Sequence, residues 1–132
     1  MSEESAGSRR AANGVELLSI IQFRDELLRL SRFTPRPATP DALVAVVHKI
    51  EQNPAYSQSR LLTRILAALT YQEGDFRRAE ASGLDAASLA MAVTLMDDYA
   101  AGTSTREDWI RAVDSARAAQ GEAKYTPRRL DG

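Results

Sequence analysis

Apolar positions recur along this chain at intervals of three and four rather than two. Five stretches between residues 14 and 121 carry that spacing and no run of alternating β-branched residues competes with them, so the pattern predicts an all-α fold, a compact bundle of five to six helices. The first helix is expected over 15–33, ending ahead of Pro35 and Pro37, whose rings cannot continue it. Leu17, Ile20, Ile21, Phe23, Leu27, Leu28 and Leu30 would cover nearly half its circumference, wider than the roughly 100° stripe that one contact needs. Such a helix is expected to pack on two sides, with Phe23 and Leu30 in the core and Ile21 and Leu28 on a second seam.

Thr39-Pro40-Asp41 reads as an N-cap, a proline at the first helical position and an acid near the positive helix end. Leu43, Val44, Val46, Val47 and Ile50 form the apolar face of this second helix, and Asn53-Pro54 ends it. A third helix over 57–73 buries Leu61, Leu62, Ile65, Leu66 and Leu69 and stops at Gly74. Asp75 is expected to cap a short helix through Ala81 that Gly83 terminates, and Asp85 to cap a longer one over 86–101 ahead of Gly102. Leu89, Met91, Val93, Leu95, Met96 and Tyr99 surround most of that longer helix, which marks it as central. Ser104-x-x-Glu107 matches a capping box for the last helix, with Trp109, Ile110 and Val113 inward and Gly121 at its end. Residues 1–13 and 122–132 lack a periodic apolar face and are expected to be disordered tails.

Composition narrows the picture. The 132 residues, 44% hydrophobic and 27% charged, suit one globular domain over 14–121. Seventeen basic and eighteen acidic side chains give a net charge of -1, so no overall field draws the chain to nucleic acid or anionic lipid. The absence of cysteine removes disulfides, thiol nucleophiles and thiolate metal sites, and suits the reducing cytoplasm. The opening residues lack the basic-then-apolar order of a secretory signal, and Ser8-Arg9-Arg10 is followed by Asn, Gly and Glu where a twin-arginine signal needs an apolar run. No window approaches the length of apolar chain that spans a bilayer, so no membrane span is expected.

Two local strings carry resemblances. Leu66 to Ala79, with Gly74-Asp75-Phe76 at its centre, resembles the middle of a tetratricopeptide repeat, where such a turn joins two antiparallel helices. Gly83 falls where the repeat's second helix would continue and no second copy follows, so a helical hairpin turn is the expectation. The string from Phe76 to Leu89, with Ala79, Gly83, Leu84 and Leu89, is similar to a helix-turn-helix, and residues 75–101 would form that element. A recognition helix reads base edges through Arg, Lys, Asn or Gln; the positions from 85 to 101 contain none, and Asp97 and Asp98 would repel phosphate.

Candidate chemistry is sparse. His48 is the sole histidine and Glu51 stands three residues on, but two ligands do not make a zinc site. Glu73 with Asp75 and Asp97 with Asp98 are carboxylate pairs that capping and solvation account for. No phosphate loop or nucleophile motif occurs, so no catalytic residue, metal or cofactor is assigned. Arg60 and Arg64 near the start of the third helix, and Asp97 and Asp98 near the end of the central one, have the wrong sign for their helix dipoles, and antiparallel packing would let them neutralise one another. The expected function is a non-enzymatic helical domain for protein-protein interaction or self-association, as a homodimer through Ile21 and Leu28. The alternatives are a nucleic-acid-binding regulator using 75–101 and a non-catalytic enzyme subunit.

Overall fold

The computed structural model describes residues 9–10, 16–32 and 41–125. In order, these form β1 (Arg9–Arg10), β2 (Glu16–Leu18), α1 (Ile20–Leu30), α2 (Ala42–Gln52), α3 (Ser57–Tyr71), β3 (Phe76–Arg77), α4 (Arg78–Ser82), α5 (Ala86–Ala101) and α6 (Arg106–Tyr125). Six helices therefore pack together, as the apolar spacing predicts, around one contiguous cluster of buried side chains. Phe23, Leu27, Ile50, Leu62, Ile65, Leu66, Phe76, Val93 and Leu95 are among its fully buried side chains, each worth about 1.5–3 kcal/mol of burial.

The periodicity does not foresee a small antiparallel sheet ordered β1-β2-β3, in which Leu17 lies opposite both Arg9 and Arg77, and Leu18 opposite Phe76. It forms because the first helix begins at Ile20 and not near residue 15. Ser19, Ile20, Ile21 and Gln22 make a capping box: the Gln22 N–H donates to Ser19 Oγ at 3.2 Å and the Ser19 N–H donates to Gln22 Oε1 at 3.0 Å. Upstream of that stop the chain is extended, and Leu18 enters the core from a strand. Strand β1 lies inside the segment expected to be a tail, and α1 ends at Leu30 with Ser31 as its C-cap, short of the expected end at 33; the remainder of 1–13 and the stretch from 126 to 132 fall outside the described residues.

Other boundaries shift for equally local reasons. Asp41, not Thr39, caps α2, accepting the Val44 N–H at 3.2 Å; Thr39 and Pro40 lie outside the described residues. Helix α3 ends at Gln72, which adopts a left-handed conformation (φ 55°), two residues before the expected stop at Gly74. Gly74 (φ 109°) then turns the chain into β3, so the Gly-Asp-Phe string builds a strand entry where a helical hairpin was expected, and α4 starts at Arg78 instead of beside Asp75. The last capping box is shifted by one residue: Thr105 Oγ1 accepts the Asp108 N–H at 3.1 Å and Asp108 Oδ2 accepts the Thr105 N–H at 3.0 Å. Helix α6 runs through Gly121 without stopping.

The direction of the helices overturns the expected charge pairing. At their starts, the Tyr56 hydroxyl donates to Asp85 Oδ2 at 3.1 Å and the Asp85 N–H donates to Gln58 Oε1 at 2.9 Å; at their ends, Gln72 Nε2 donates to the Tyr99 hydroxyl at 2.8 Å. Helices α3 and α5 are thus parallel, and β3 with α4 is the crossover between them. Arg60 stands about ten residues, some 15 Å along the axis, from the level of Asp98. Arg64 instead pairs with Glu80 of the crossover at 2.5 Å, and Asp98 accepts the Ser104 hydroxyl at 3.0 Å. Helix α6 runs the opposite way to α3, with Arg106 donating to the Thr70 carbonyl at 2.7 Å at one end and Gln120 to the Pro54 carbonyl at 3.2 Å at the other. The Arg106 guanidinium therefore lies at the negative end of α3, where a cation is favoured.

Candidate functional site

Helix α1 leaves two large aliphatic side chains exposed away from its buried face. Ile20, Phe23 and Leu27 are buried and Leu30 half-buried, while Ile21 and Leu28 are 53% and 38% exposed. At 100° per residue Ile21, Asp25 and Leu28 fall within about 60° of one another on the outer side, with Arg24 along one edge. Arg24 and Asp25 are ion-paired at 3.3 Å and remain 40% and 65% exposed. Phe23 and Leu30 thus turn inward and Ile21 and Leu28 outward, as the sequence predicts. Leu17, expected on the same helix, is half-buried in β2, so the exposed apolar surface is a narrow ridge and not a half-cylinder.

The inner side of α1 holds that ridge in place. Phe23 stacks on Phe76 with ring centroids 4.4 Å apart and planes 14° from parallel, and the Arg64 guanidinium lies over the Phe76 ring at 4.9 Å. Beside the rings, Glu26 is only 8% exposed and receives two arginines, Arg29 from its own helix at 2.5 Å and Arg78 of α4 at 2.7 Å; Arg78 also reaches Glu16 of β2 at 3.7 Å. The hydrogen bond from Arg29 holds the Glu26 carboxyl below the usual carboxylate range, against the opposing effect of burial, with both arginine charges adding to the shift. Glu80 is pushed up by burial, but hydrogen bonds from the Arg64 side chain and the Arg77 N–H outweigh this and leave it lowered. Sequence reasoning missed Glu26, although a carboxylate between Phe23 and Leu30 on a buried face is itself a signal that a cation must meet it.

A concavity of about 460 Å³ runs between α2 and α6. Leu43, Val44, Val47 and Ala112 line its apolar part, and Val44 is 64% exposed. His48 and Glu51 are exposed along it; Asp41 and Asp108 are engaged with backbone N–H groups at the starts of α2 and α6, and Asp108 also holds Arg111 at 2.7 Å. The Thr105 N–H, then the Thr105 hydroxyl, keep the Asp108 carboxyl below its usual range. Among the described residues, no three His, Cys, Asp or Glu side chains gather so as to hold a metal ion, and no helix is long and apolar enough to cross a membrane.

The helix-turn-helix-like segment enters the core through Phe76, Ala81 and one side of α5, and leaves Arg77, Arg78 and Gly83 exposed. Helix α4 has five residues, and α5 buries Ser88, Leu89, Ala90, Ala92, Val93, Leu95 and Met96 against α1, α2 and α3. The other side of α5, with Ala87 exposed and Met91 and Thr94 half-buried, carries no Arg, Lys, Asn or Gln. Asp85 caps this helix through the Ser88 N–H at 2.7 Å, a bond that, with the Tyr56 hydroxyl, lowers its carboxyl. Comparison of the chain with protein-family models, with curated proteins and with solved structures gives no match.

Proposed function

We propose that this domain is a non-enzymatic helical interaction module of the cytoplasm that binds protein through the outer side of α1. The observation that carries this reading is the ridge of Ile21 and Leu28, aliphatic side chains left in water on a helix whose other side is fixed by stacked rings and a doubly paired carboxylate. Burying aliphatic surface is favourable by about 25 cal/mol per Å², and a helix already ordered on its inner side loses little further entropy when its outer side is covered. The polar groups support a structural role for themselves: Asp41, Asp85 and Asp108 cap helices, and Glu26 and Glu80 bind arginines.

The test is capture from native lysate by the immobilised domain, comparing the wild type with an Ile21→Lys, Leu28→Lys double variant whose folding is checked by circular dichroism. Protein retained by the wild type and lost with the double variant is the expected result. Retention of the same set by both, or retention of nucleic acid in place of protein, overturns the reading.

A further inference from the structure

We propose that the hollow enclosed by α3, the turn into β3 and α6 binds a short zwitterion, a molecule of the size of a free aliphatic amino acid or a dipeptide. The hollow is about 300 Å³ and owes its space to small residues, Ala67 and Ala68 of α3 and Gly74 of the turn. The Gly74 backbone lies beside the Ala68 methyl: a Cβ added at Gly74 would stand 3.8 Å from it. The charged groups of the lining fall into two kinds. Arg64 is engaged, by Glu80 at 2.5 Å, by the Asp75 carbonyl at 2.9 Å and by the Phe76 ring beneath it at 4.9 Å. Glu73 and Arg117 are exposed and, among the described residues, neither has a hydrogen-bond or ion-pair partner, each other included.

A small hollow with apolar walls, one unmatched carboxylate and one unmatched guanidinium is complementary to a ligand that carries both charges. The placement of the two residues sets the ligand's direction. Because α6 runs opposite to α3, Arg117 approaches from the Thr63 end, whereas Glu73 follows the last turn of α3 and stands at the Gly74 end. The ligand carboxylate then accepts two parallel hydrogen bonds from the Arg117 guanidinium, its ammonium donates to the Glu73 carboxylate, and its aliphatic part covers Ala67 and Ala68. A ligand with one charge leaves the other residue unmatched. Ion pairs made by exposed side chains are weak, so dissociation constants of about 1 mM are expected. The described lining includes no residue of α1, and the site stands independently of the Ile21 and Leu28 ridge.

Titration of the purified full chain with L-leucine and with glycyl-L-leucine, followed by amide chemical shifts, tests this against N-acetyl-leucine, which lacks the ammonium, and leucinamide, which lacks the carboxylate. Saturable shifts centred on Ala67, Gly74 and Arg117 are expected, and the tighter of the two zwitterions tells a free amino acid from a peptide. Each single-charge analogue is expected to bind about fivefold more weakly. Arg117→Gln should weaken leucine by about the same factor and leave leucinamide unchanged, and Glu73→Gln should weaken leucine and leave N-acetyl-leucine unchanged. Ala67→Leu, folded by circular dichroism, fills the hollow without altering a charge and should abolish binding; the two glutamine variants, at exposed positions, keep the test decisive if it does not fold. No saturable shift with either zwitterion at about 50 mM, analogues that bind as tightly as leucine, or binding that neither glutamine variant changes overturns the proposal.

Discussion

Phe76→Ala is expected to destabilise the domain by about 4 kcal/mol, although Phe76 belongs to a strand of only two residues. The ring is 2% exposed, and emptying a buried phenylalanine site costs about 3–5 kcal/mol. Part of that loss is specific to the ring's two partners: about 0.5–1.5 kcal/mol for the stacked pair with Phe23 and about 0.5–1 for the guanidinium of Arg64 over the ring. Phe76→Leu retains most of the apolar volume and loses mainly those two contributions, so about 1–2 kcal/mol is expected. Against a total stability of about 5–15 kcal/mol, the alanine variant has little reserve while the leucine variant stays folded. Urea unfolding followed by far-ultraviolet circular dichroism and by Trp109 fluorescence measures both. A double-mutant cycle of Phe23→Leu with Phe76→Leu should yield a coupling of about 0.5–1.5 kcal/mol. A loss under about 1 kcal/mol for Phe76→Ala would show that β3 lies outside the cooperative core, and zero coupling would show that the rings do not act as a pair.

Four further outcomes are expected. The folded-state value of the Glu26 carboxyl is lowered, so its stabilising effect is complete above the unfolded value near pH 4.3 and is lost as the pH falls through the lower folded value; the urea midpoint should fall more between pH 7 and pH 3 for wild type than for Glu26→Gln. Asp85→Ala should cost about 1 kcal/mol in chemical unfolding, because it removes the cap of α5. Gly102→Ala should cost about 1–2 kcal/mol by thermal unfolding, purely from its left-handed backbone (φ 69°), since an added Cβ meets nothing within 4 Å. Met96→Ala should cost about 2–5 kcal/mol whereas His48→Ala, on an exposed site, should change the urea midpoint little.

The helices were legible because each buries a stripe whose period is written in Leu, Ile and Val, and the interior position of Leu62, Leu66, Val93 and Leu95 follows from that stripe alone. Termini were less legible wherever two capping signals competed. Ser19 and Gln22 form a capping box inside an apolar run that continues upstream through Leu17 and Leu18, and periodicity averaged over the run hides it. Gln72 takes a left-handed conformation that sequence reasoning assigns to glycine, held by its side chain donating to the Leu69 carbonyl and the Tyr99 hydroxyl. The parallel course of α3 and α5 was not readable, because it depends on a crossover whose strand pairs with β2, far away in sequence. The outward placement of Ile21 and Leu28 was readable, as they lie at the edge of the band that Phe23 and Leu27 centre.

That crossover sets an order of events as the chain folds. Arg78 and Glu26 are 52 residues apart, and every bond joining α1 to β3 and α4 closes a loop of about that length, whereas α2 and α3 meet across the short turn at Asn53. Loop closure costs about 0.6 kcal/mol more for each doubling of length, so the α2–α3 hairpin is expected to nucleate, and α1 to dock last, once β3 is presented by the paired α3 and α5. The last unit to arrive is also the first to open in the native state. Hydrogen exchange should therefore find α1, β2 and the crossover exchanging together, as one foldon, ahead of the amides of α3 and α5.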